Sequence, residues 1–374
     1  MTEKIIKMEK TIIRIIFLFL PFFAFPQFNP ITPQTQISIL TVGVADESHS
    51  LYGHTAIRVK DVSNNFDYVW NYGMFDFRTE NFILKFVKGD LQYYAGAYPY
   101  TDFEYSYQEE NRSIYEQILN ISLEEKQKLF ERLSQSVFSE EKFYTYKFID
   151  RNCTTKAIDV VNEALENKPI QNTLHQNESY RSILFPYQEN QFWMNFGINI
   201  IFGHRPDEQA SVLFLPLDLM KILENTQYKG KPLASKAQIL YKDSRPEKKF
   251  DFFNSIFALL VILTIFVLIN RKLSTIFYFG ILGLIGLLFT FVSFYSFHRE
   301  VLWNYNILLF NPLNILLIYF TIKNNVIWIK RTCLICLALL VIYLLYMLNK
   351  VHFWMILPIV SVSAIQLIRL YRKK

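Results

Sequence analysis

The chain has 374 residues, 51% of them hydrophobic and 17% aromatic, with a formal charge of +6. A soluble protein of this length needs less apolar material for its core, so part of the chain is expected to face lipid. The positive charge does not point to nucleic acid, because many of the lysines and arginines flank apolar runs, where they anchor helices at a membrane surface.

In chain order, Lys4, Lys7, Lys10 and Arg14 precede the apolar stretch Ile15 to Phe25. These are the charged and hydrophobic regions of a secretory signal, so residues 1–26 are expected to be a signal sequence or an uncleaved anchor. Residues 27–250 mix charged, polar and aromatic types in globular proportions and suffice for one domain of about 220 residues. Residues 36–43 and 54–60 alternate and are rich in β-branched side chains, and 68–72 (YVWNY) make a third candidate strand. Asp61 to Asp67, rich in Asn and Ser, supplies the turn between the second and third. A helix is expected at 80–89. Another runs from Ser122, which can cap with Glu125, to Val137, and a third from Asn152 or Cys153 to about Leu165, with Ile158, Val161 and Leu165 on one face. Strands followed by helices indicate an α+β domain with an antiparallel sheet and packed helices.

Residues 251–374 are different. Apolar runs at about 252–270, 274–294, 305–322, 332–349 and 352–368 each approach the ~20 residues needed to span hydrocarbon, giving an all-α membrane domain of about five helices. Basic connectors (Arg271 and Lys272; Lys323, Lys330 and Arg331; Arg369 to Lys374) alternate with connectors poor in positive charge. The positive-inside rule then puts residues 27–250, the His298 to Asn306 loop and the Lys350 turn outside an inner membrane, and the C-terminus in the cytoplasm.

Two segments carry candidate chemistry: Tyr52-Gly-His54-Thr-Ala-Ile-Arg-Val at a loop-to-strand junction, and Asp150-Arg-Asn152-Cys153-Thr-Thr-Lys at the start of an amphipathic helix. Cys153 has no disulfide partner in the outer domain, since Cys333 and Cys336 lie inside an apolar run. A thiol in the first turn of a helix feels the positive end of the dipole, which favours thiolate. His54 on a neighbouring strand is then the general base, and the helix-start amides with the Thr154 or Thr155 hydroxyl are the oxyanion donors. A third residue should orient His54; Asn71 on the next strand is the first choice and Asp76 the second. The competing reading makes Cys153 a small buried hydrophobe and His54 a satisfied core histidine.

Other signals have plainer expectations. Cys333-x-x-Cys336 should be helix packing, His49 and His175 solvated, and His204-Arg-Pro-Asp207 a local ion pair. His298, Asn304, Asn306 and Asn311 sit at the outer boundary, where they either bind a lipid headgroup and an acceptor or anchor the interface. No zinc-type ligand spacing occurs, so neither a metal nor a cofactor is expected.

The order of a strand-borne His followed by an Asn-Cys helix start resembles the circularly permuted papain-like fold of lecithin:retinol acyltransferase relatives, which pass acyl groups through a cysteine thioester. Gly53-His-Thr-Ala-Ile-Arg-Val, Asn71-Tyr-Gly-Met-Phe-Asp-Phe, Arg112-Ser-Ile-Tyr-Glu-Gln, Asn152-Cys-Thr-Thr, Phe214-Leu-Pro-Leu-Asp-Leu and the loop from His298 to Pro312 together resemble the Bacteroidota lipoprotein N-acyltransferase family, Lnb. The chain departs from the family pattern at Arg299, where a proline is expected. The resemblance implies transfer of a fatty acyl chain from a phospholipid donor to the α-amine of a diacylated lipoprotein at the membrane. It implies Cys153 as nucleophile and His54 as acid and base, with Asn152, Thr154, Arg112, His298, Asn304 and Asn306 on the substrate side. Two other functions use the same residues: a papain-like thiol hydrolase of cell-wall peptides or lipid esters, and a non-catalytic membrane-bound binding or sensor module.

Overall fold

The structure is a computed structural model that describes residues 31–246, 248–269 and 271–372. The expectation for residues 1–26 lies outside the described residues.

The outer domain begins with an antiparallel meander, β1 (Gln36–Val42), β2 (His54–Asp61) and β3 (Phe66–Met74), in which Val42 pairs with His54 and Ala56 with Asn71. Alternation explains the pairing. Ile37, Ile39, Ile57, Val59, Trp70 and Tyr72 line one face, and Leu40, Val42, Ala56 and Val69 the other. Both faces are covered, which is why the central residues of all three strands are buried whichever way they point. The turn before β3 uses Asn65 at φ 51, the left-handed region Asn tolerates.

Four further strands complete the sheet: β4 (Gln92–Pro99), β5 (Ile114–Ile118), β6 (Phe143–Thr145) and, after a small hairpin of β7 (Gln227–Tyr228) with β8 (Lys231–Pro232), β9 (Gln238–Tyr241). Among the described residues the sheet has seven strands in the order β6-β4-β3-β2-β1-β5-β9, with every pairing antiparallel. The tyrosines at 93, 94 and 98 belong to β4, an interior strand of this sheet.

The helices are α1 (Phe82–Lys88), α2 (Tyr100–Glu109), α3 (Leu123–Phe138), α4 (Cys153–Ala164), α5 (Tyr180–Leu184), α6 (Phe192–Ile201) and α7 (Pro216–Asn225). Helix α3 starts with the expected capping box, Ser122 with Glu125. It packs with α4 on the Ile57 face through Leu129, Leu133, Ala157 and Val161. Helix α2 covers the opposite face through Tyr100 and Phe103.

The second part is helical: α8 (Ile256–Leu268), α9 (Lys272–Tyr295), α10 (Leu313–Ile322), α11 (Val326–Met347) and α12 (Phe353–Arg372). Among the described residues, the segments Lys272–Tyr295, Arg299–Ile322, Val326–Met347 and Phe353–Arg372 are long and apolar enough to cross a membrane, and α8 is a shorter apolar helix. The third apolar run is not one regular helix. Tyr305–Leu308 is a 3-10 turn, and α10 starts only after Pro312, where the Asn311 side chain accepts from the Leu313 amide at 2.9 Å. Helix α6 joins the apolar core of the membrane helices through Phe192 and Ile200 rather than the sheet core.

The two parts are stitched by the loop after α9. Phe297 N–H donates to the Lys88 carbonyl at 2.7 Å, Ser296 Oγ to the Val87 carbonyl at 2.7 Å, and Gly203 N–H to the Glu300 carbonyl at 2.7 Å. Lys147 Nζ reaches the Gly89 and Phe297 carbonyls at 3.1 and 3.2 Å.

Candidate active site

The site forms where the start of β2, the end of β3 and the start of α4 meet. Gly53 precedes His54 at φ +83, and a Cβ there would lie 2.7 Å from the Val42 carbonyl oxygen, so only glycine lets the chain turn into β2 at this point. In β3 the register shifts between Asn71 and Met74, and Gly73 adopts φ +87. A Cβ on Gly73 would sit 3.9 Å from the Cys153 Cβ and 3.4 Å from the Tyr146 ring, so the bulge brings bare backbone against the thiol residue.

Helix α4 begins with a capping box: Asn152 Oδ1 accepts from Thr155 N–H at 3.0 Å, and Asn152 N–H donates to Thr155 Oγ1 at 2.8 Å. The Asn152 amide nitrogen donates to the carbonyls of Phe148 and Phe214, each at 2.9 Å. Cys153 is therefore the first residue of a well-capped helix, and it is buried. Burial by itself raises the thiol pKa, but the charge of His54, a hydrogen bond from its ring, the Thr55 amide and the Thr154 hydroxyl outweigh it and lower the thiol to about 7.

His54 is held from its far side. Its Nε2 lies 2.5 Å from Asn71 Oδ1, and Asn71 Nδ2 donates to the Tyr98 hydroxyl at 2.6 Å. An amide oxygen only accepts, so Nε2 carries the hydrogen and Nδ1 is the ring nitrogen left for the thiol. The Tyr107 ring stacks on His54 at 6.1 Å between centroids, and the Arg112 guanidinium lies 4.9 Å from the centre of that same ring.

The structure thus gathers Cys153, His54 and Asn71, with Asn152, Thr154 and Arg112 around them, but several sequence expectations need correction. Asp76 forms an exposed ion pair with Arg78 at 2.8 Å, so its carboxylate is committed away from His54. Asn152 is spent on the cap and on two carbonyls. Thr154 Oγ1 is buried between Thr55 Oγ1 at 3.0 Å and the Cys153 sulfur at 4.0 Å, and the Thr155 hydroxyl closes the capping box. Arg112 donates to the Gly43 carbonyl at 2.9 Å and to Glu110 at 2.8 Å, behind Tyr107.

The polar residues of the outer loop are hydrogen-bonded within the chain. His298 Nε2 pairs with the Phe86 carbonyl at 2.8 Å. Asn304 donates to the Ile200 and Ile201 carbonyls at 2.9 and 3.0 Å. Asn306 donates to the Asn199, Ile200 and Phe202 carbonyls and accepts from Tyr343 Oη at 2.7 Å. The two asparagines, together with Arg181, satisfy the carbonyls at the end of α6. His175 is not free in solvent: it bridges Glu178 at 2.9 Å and Asp218 at 3.0 Å. His204-Arg-Pro-Asp207 does more than pair locally, since Arg205 also reaches Asp150 at 2.8 Å and Asp207 takes Arg181 at 2.7 Å and Tyr305 Oη at 2.8 Å. Cys333 and Cys336 are buried within the helix bundle.

Sequence reasoning missed Tyr98, Tyr107 and Glu300. Glu300 is 2% exposed and accepts from the Ile149 amide at 3.2 Å, while Arg299 reaches Asp150 at 3.3 Å, so the outer loop grips the segment that leads into Cys153.

Residues 27–184 match the Lnb N-terminal periplasmic domain, and residues 242–374 match the Lnb transmembrane domain. No curated protein and no solved structure matches the chain. The motifs that meet at the thiol and those that fasten the outer loop thus lie within two matched regions of one architecture, and the chain belongs to the Lnb family, as a membrane protein with a periplasmic N-terminal domain.

Proposed function

We propose that the protein is a lipoprotein N-acyltransferase that moves a fatty acyl chain from a phospholipid, through a thioester on Cys153, to the α-amine of a lipidated N-terminal cysteine. The observation that carries this reading is the buried Cys153 thiol at a helix start, lowered to about 7 beside a His54 whose other ring nitrogen is fixed by Asn71.

In the first half-reaction the Cys153 thiolate attacks the ester carbonyl carbon of the donor. The carbon–sulfur bond forms, the bond to the glycerol oxygen breaks, and His54 Nδ1 gives its proton to the leaving oxygen. In the second half the acceptor amine attacks the thioester carbonyl, His54 takes a proton from the nitrogen, and the thiolate leaves. Asn71 and Tyr98 hold the imidazole in one tautomer throughout. The amide of Thr55, which already favours the thiolate, and the first-turn amides of α4 are the oxyanion donors in this reading, in place of the committed Thr154 and Thr155 hydroxyls.

A lipid substrate is supported by α1. This helix buries none of its residues, and Ile83, Leu84 and Phe86 are exposed together with neighbouring Phe77. Its end is hydrogen-bonded to the end of the membrane-crossing α9, with Tyr295 Oη donating to the Leu84 carbonyl at 3.4 Å. A ladder of rings (Phe77, Phe75, Tyr93 and Tyr146, at centroid spacings of 4.9, 5.3 and 4.6 Å) runs from that apolar edge to Gly73 beside Cys153.

The test is mass spectrometry of a lipoprotein's N-terminal peptide from cells lacking their native N-acyltransferase and carrying either this protein or its Cys153→Ala variant. An added amide-linked acyl chain with the first and none with the second is the expected result. No added chain with either form would turn the reading to a thiol hydrolase, and an added chain with both would remove Cys153 as nucleophile.

A further inference from the structure

The bundle end remote from the sheet domain contains a cavity of about 490 Å³ between the start of α9, the α10–α11 turn and the end of α12. Arg271, Lys272, Arg369 and Arg372 line it, with Thr275 and Asn324 among its polar groups, and among the described residues no acidic side chain is in its wall. From there α9 runs 24 residues, about 36 Å, to the loop that meets the outer domain, so the cavity opens at the opposite membrane surface from Cys153.

Three observations converge on an anion. First, the cations are uncompensated: among the described residues neither Arg271 nor Arg372 has a side-chain hydrogen bond or ion pair, Lys272 donates only to Asn324 Oδ1 at 2.8 Å, and Arg369 only to the Val267 carbonyl at 2.7 Å. Second, Arg271, which lines the cavity, is the N-cap of α9, and no side chain caps that helix, so the positive end of a long dipole adjoins the same space. Third, the volume lies in the range of about 300–1,000 Å³ usual for small-ligand sites. A general preference for basic residues on one side of a membrane accounts for cations at helix ends. It does not account for four of them converging from two helices on one cavity, without an acidic side chain among its described residues, beside an uncapped helix start.

We infer that this cavity binds the phosphate headgroup of an anionic phospholipid from the leaflet opposite the sheet domain. The lipid's phosphate meets Arg271, Arg372 and the α9 amides, while its acyl chains lie along the apolar sides of α9 and α12. Bound there, it offsets the mutual repulsion of the four cations and ties the end of α12 to the start of α9. The site is separate from the acyl-transfer chemistry and does not depend on it.

The experiment reconstitutes the full chain in bilayers of equimolar phosphatidylethanolamine and phosphatidylglycerol, extracts it in mild detergent and counts retained lipids by native mass spectrometry. The wild type is expected to retain phosphatidylglycerol selectively, and a variant with Arg271→Gln and Arg372→Gln to retain it about thirtyfold less, at ~1 kcal/mol per cation. Equal retention by both would overturn the inference, as would release of the lipid by millimolar inorganic phosphate, which would mark a soluble-anion site. In case the variant does not fold, a photoreactive headgroup-labelled phosphatidylglycerol is used on the wild type. Labelling of peptides around Arg271, Asn324 and Arg372 supports the site, and labelling confined to other segments overturns it.

Discussion

Two groups of buried polar residues flank the membrane boundary, and the sequence marks them alike. Around Cys153, His54 and Asn71 the donations run from the imidazole Nε2 to Asn71 and on from Asn71 to Tyr98, which leaves the other ring nitrogen for a thiol whose pKa is lowered to about 7. Around Asn304 and Asn306 the side-chain groups end on the carbonyls of residues 199–202 and on Tyr343, and nothing is left over for a ligand. The difference shows that a buried polar side chain becomes a candidate for chemistry through the bonding capacity it keeps after the fold has used the rest.

The comparison breaks most sharply at the nucleophile. Cys153→Ala should cut acyl transfer by at least about a thousandfold with the fold intact, read as product by mass spectrometry and as thermal stability in detergent. A variant that keeps its activity would put the thiol in the same structural class as the asparagines.

Asn306→Ala tests the other side. It leaves the buried Tyr343 hydroxyl without its acceptor and removes one of two side-chain donors from each of three carbonyls, and should cost about 1–3 kcal/mol of stability, while the folded fraction keeps its turnover. Lost turnover at unchanged stability would make Asn306 part of the site after all.

Asn71→Ala frees the imidazole and should lower kcat roughly tenfold to a hundredfold with little change in KM. Asn71→Asp keeps the acceptor and should recover most of the rate. With the wild type, alkylation of Cys153 by iodoacetamide should rise with pH through about 7, because the thiolate is the reactive form and its pKa lies near that value. In Asn71→Ala that profile should move to higher pH; an unmoved profile would mean Asn71 does not act through His54.

Charging the apolar edge by Ile83→Asp with Leu84→Asp should raise KM for a bilayer-embedded donor roughly tenfold, the loss of about half an aliphatic side chain's burial. Turnover of a water-soluble short-chain ester should be unchanged. Equal loss on both substrates would remove α1 from lipid capture.

The smallest effect is expected at His175. Burial lowers its pKa, but the Glu178 hydrogen bond and the Asp218 charge raise it above the usual 6.5. A raised folded value means the bridge stabilises fully below 6.5 and is lost as pH rises through the folded pKa. His175→Gln should therefore cost less than about 1 kcal/mol, and only on the acid side, in melts from pH 5 to 8.

What the sequence determined by itself follows from local physics. Period-two alternation set β1 to β3, the Ser122 and Glu125 pair set the start of α3, and the apolar runs marked the membrane helices, because each signal lies within a few neighbouring residues. Cys153 at a helix start and His54 at a strand start were legible for the same reason, and Asn71 followed from being one strand away. Tertiary structure alone decided which polar groups were spare. That Asn152 would reach the Phe214 carbonyl 62 residues on, and that Glu300 would hold the Ile149 amide, both depend on pairings between distant segments. No periodicity encodes these, since a hydrogen-bonding group carries the same capacity in every sequence position and only packing determines which partner consumes it.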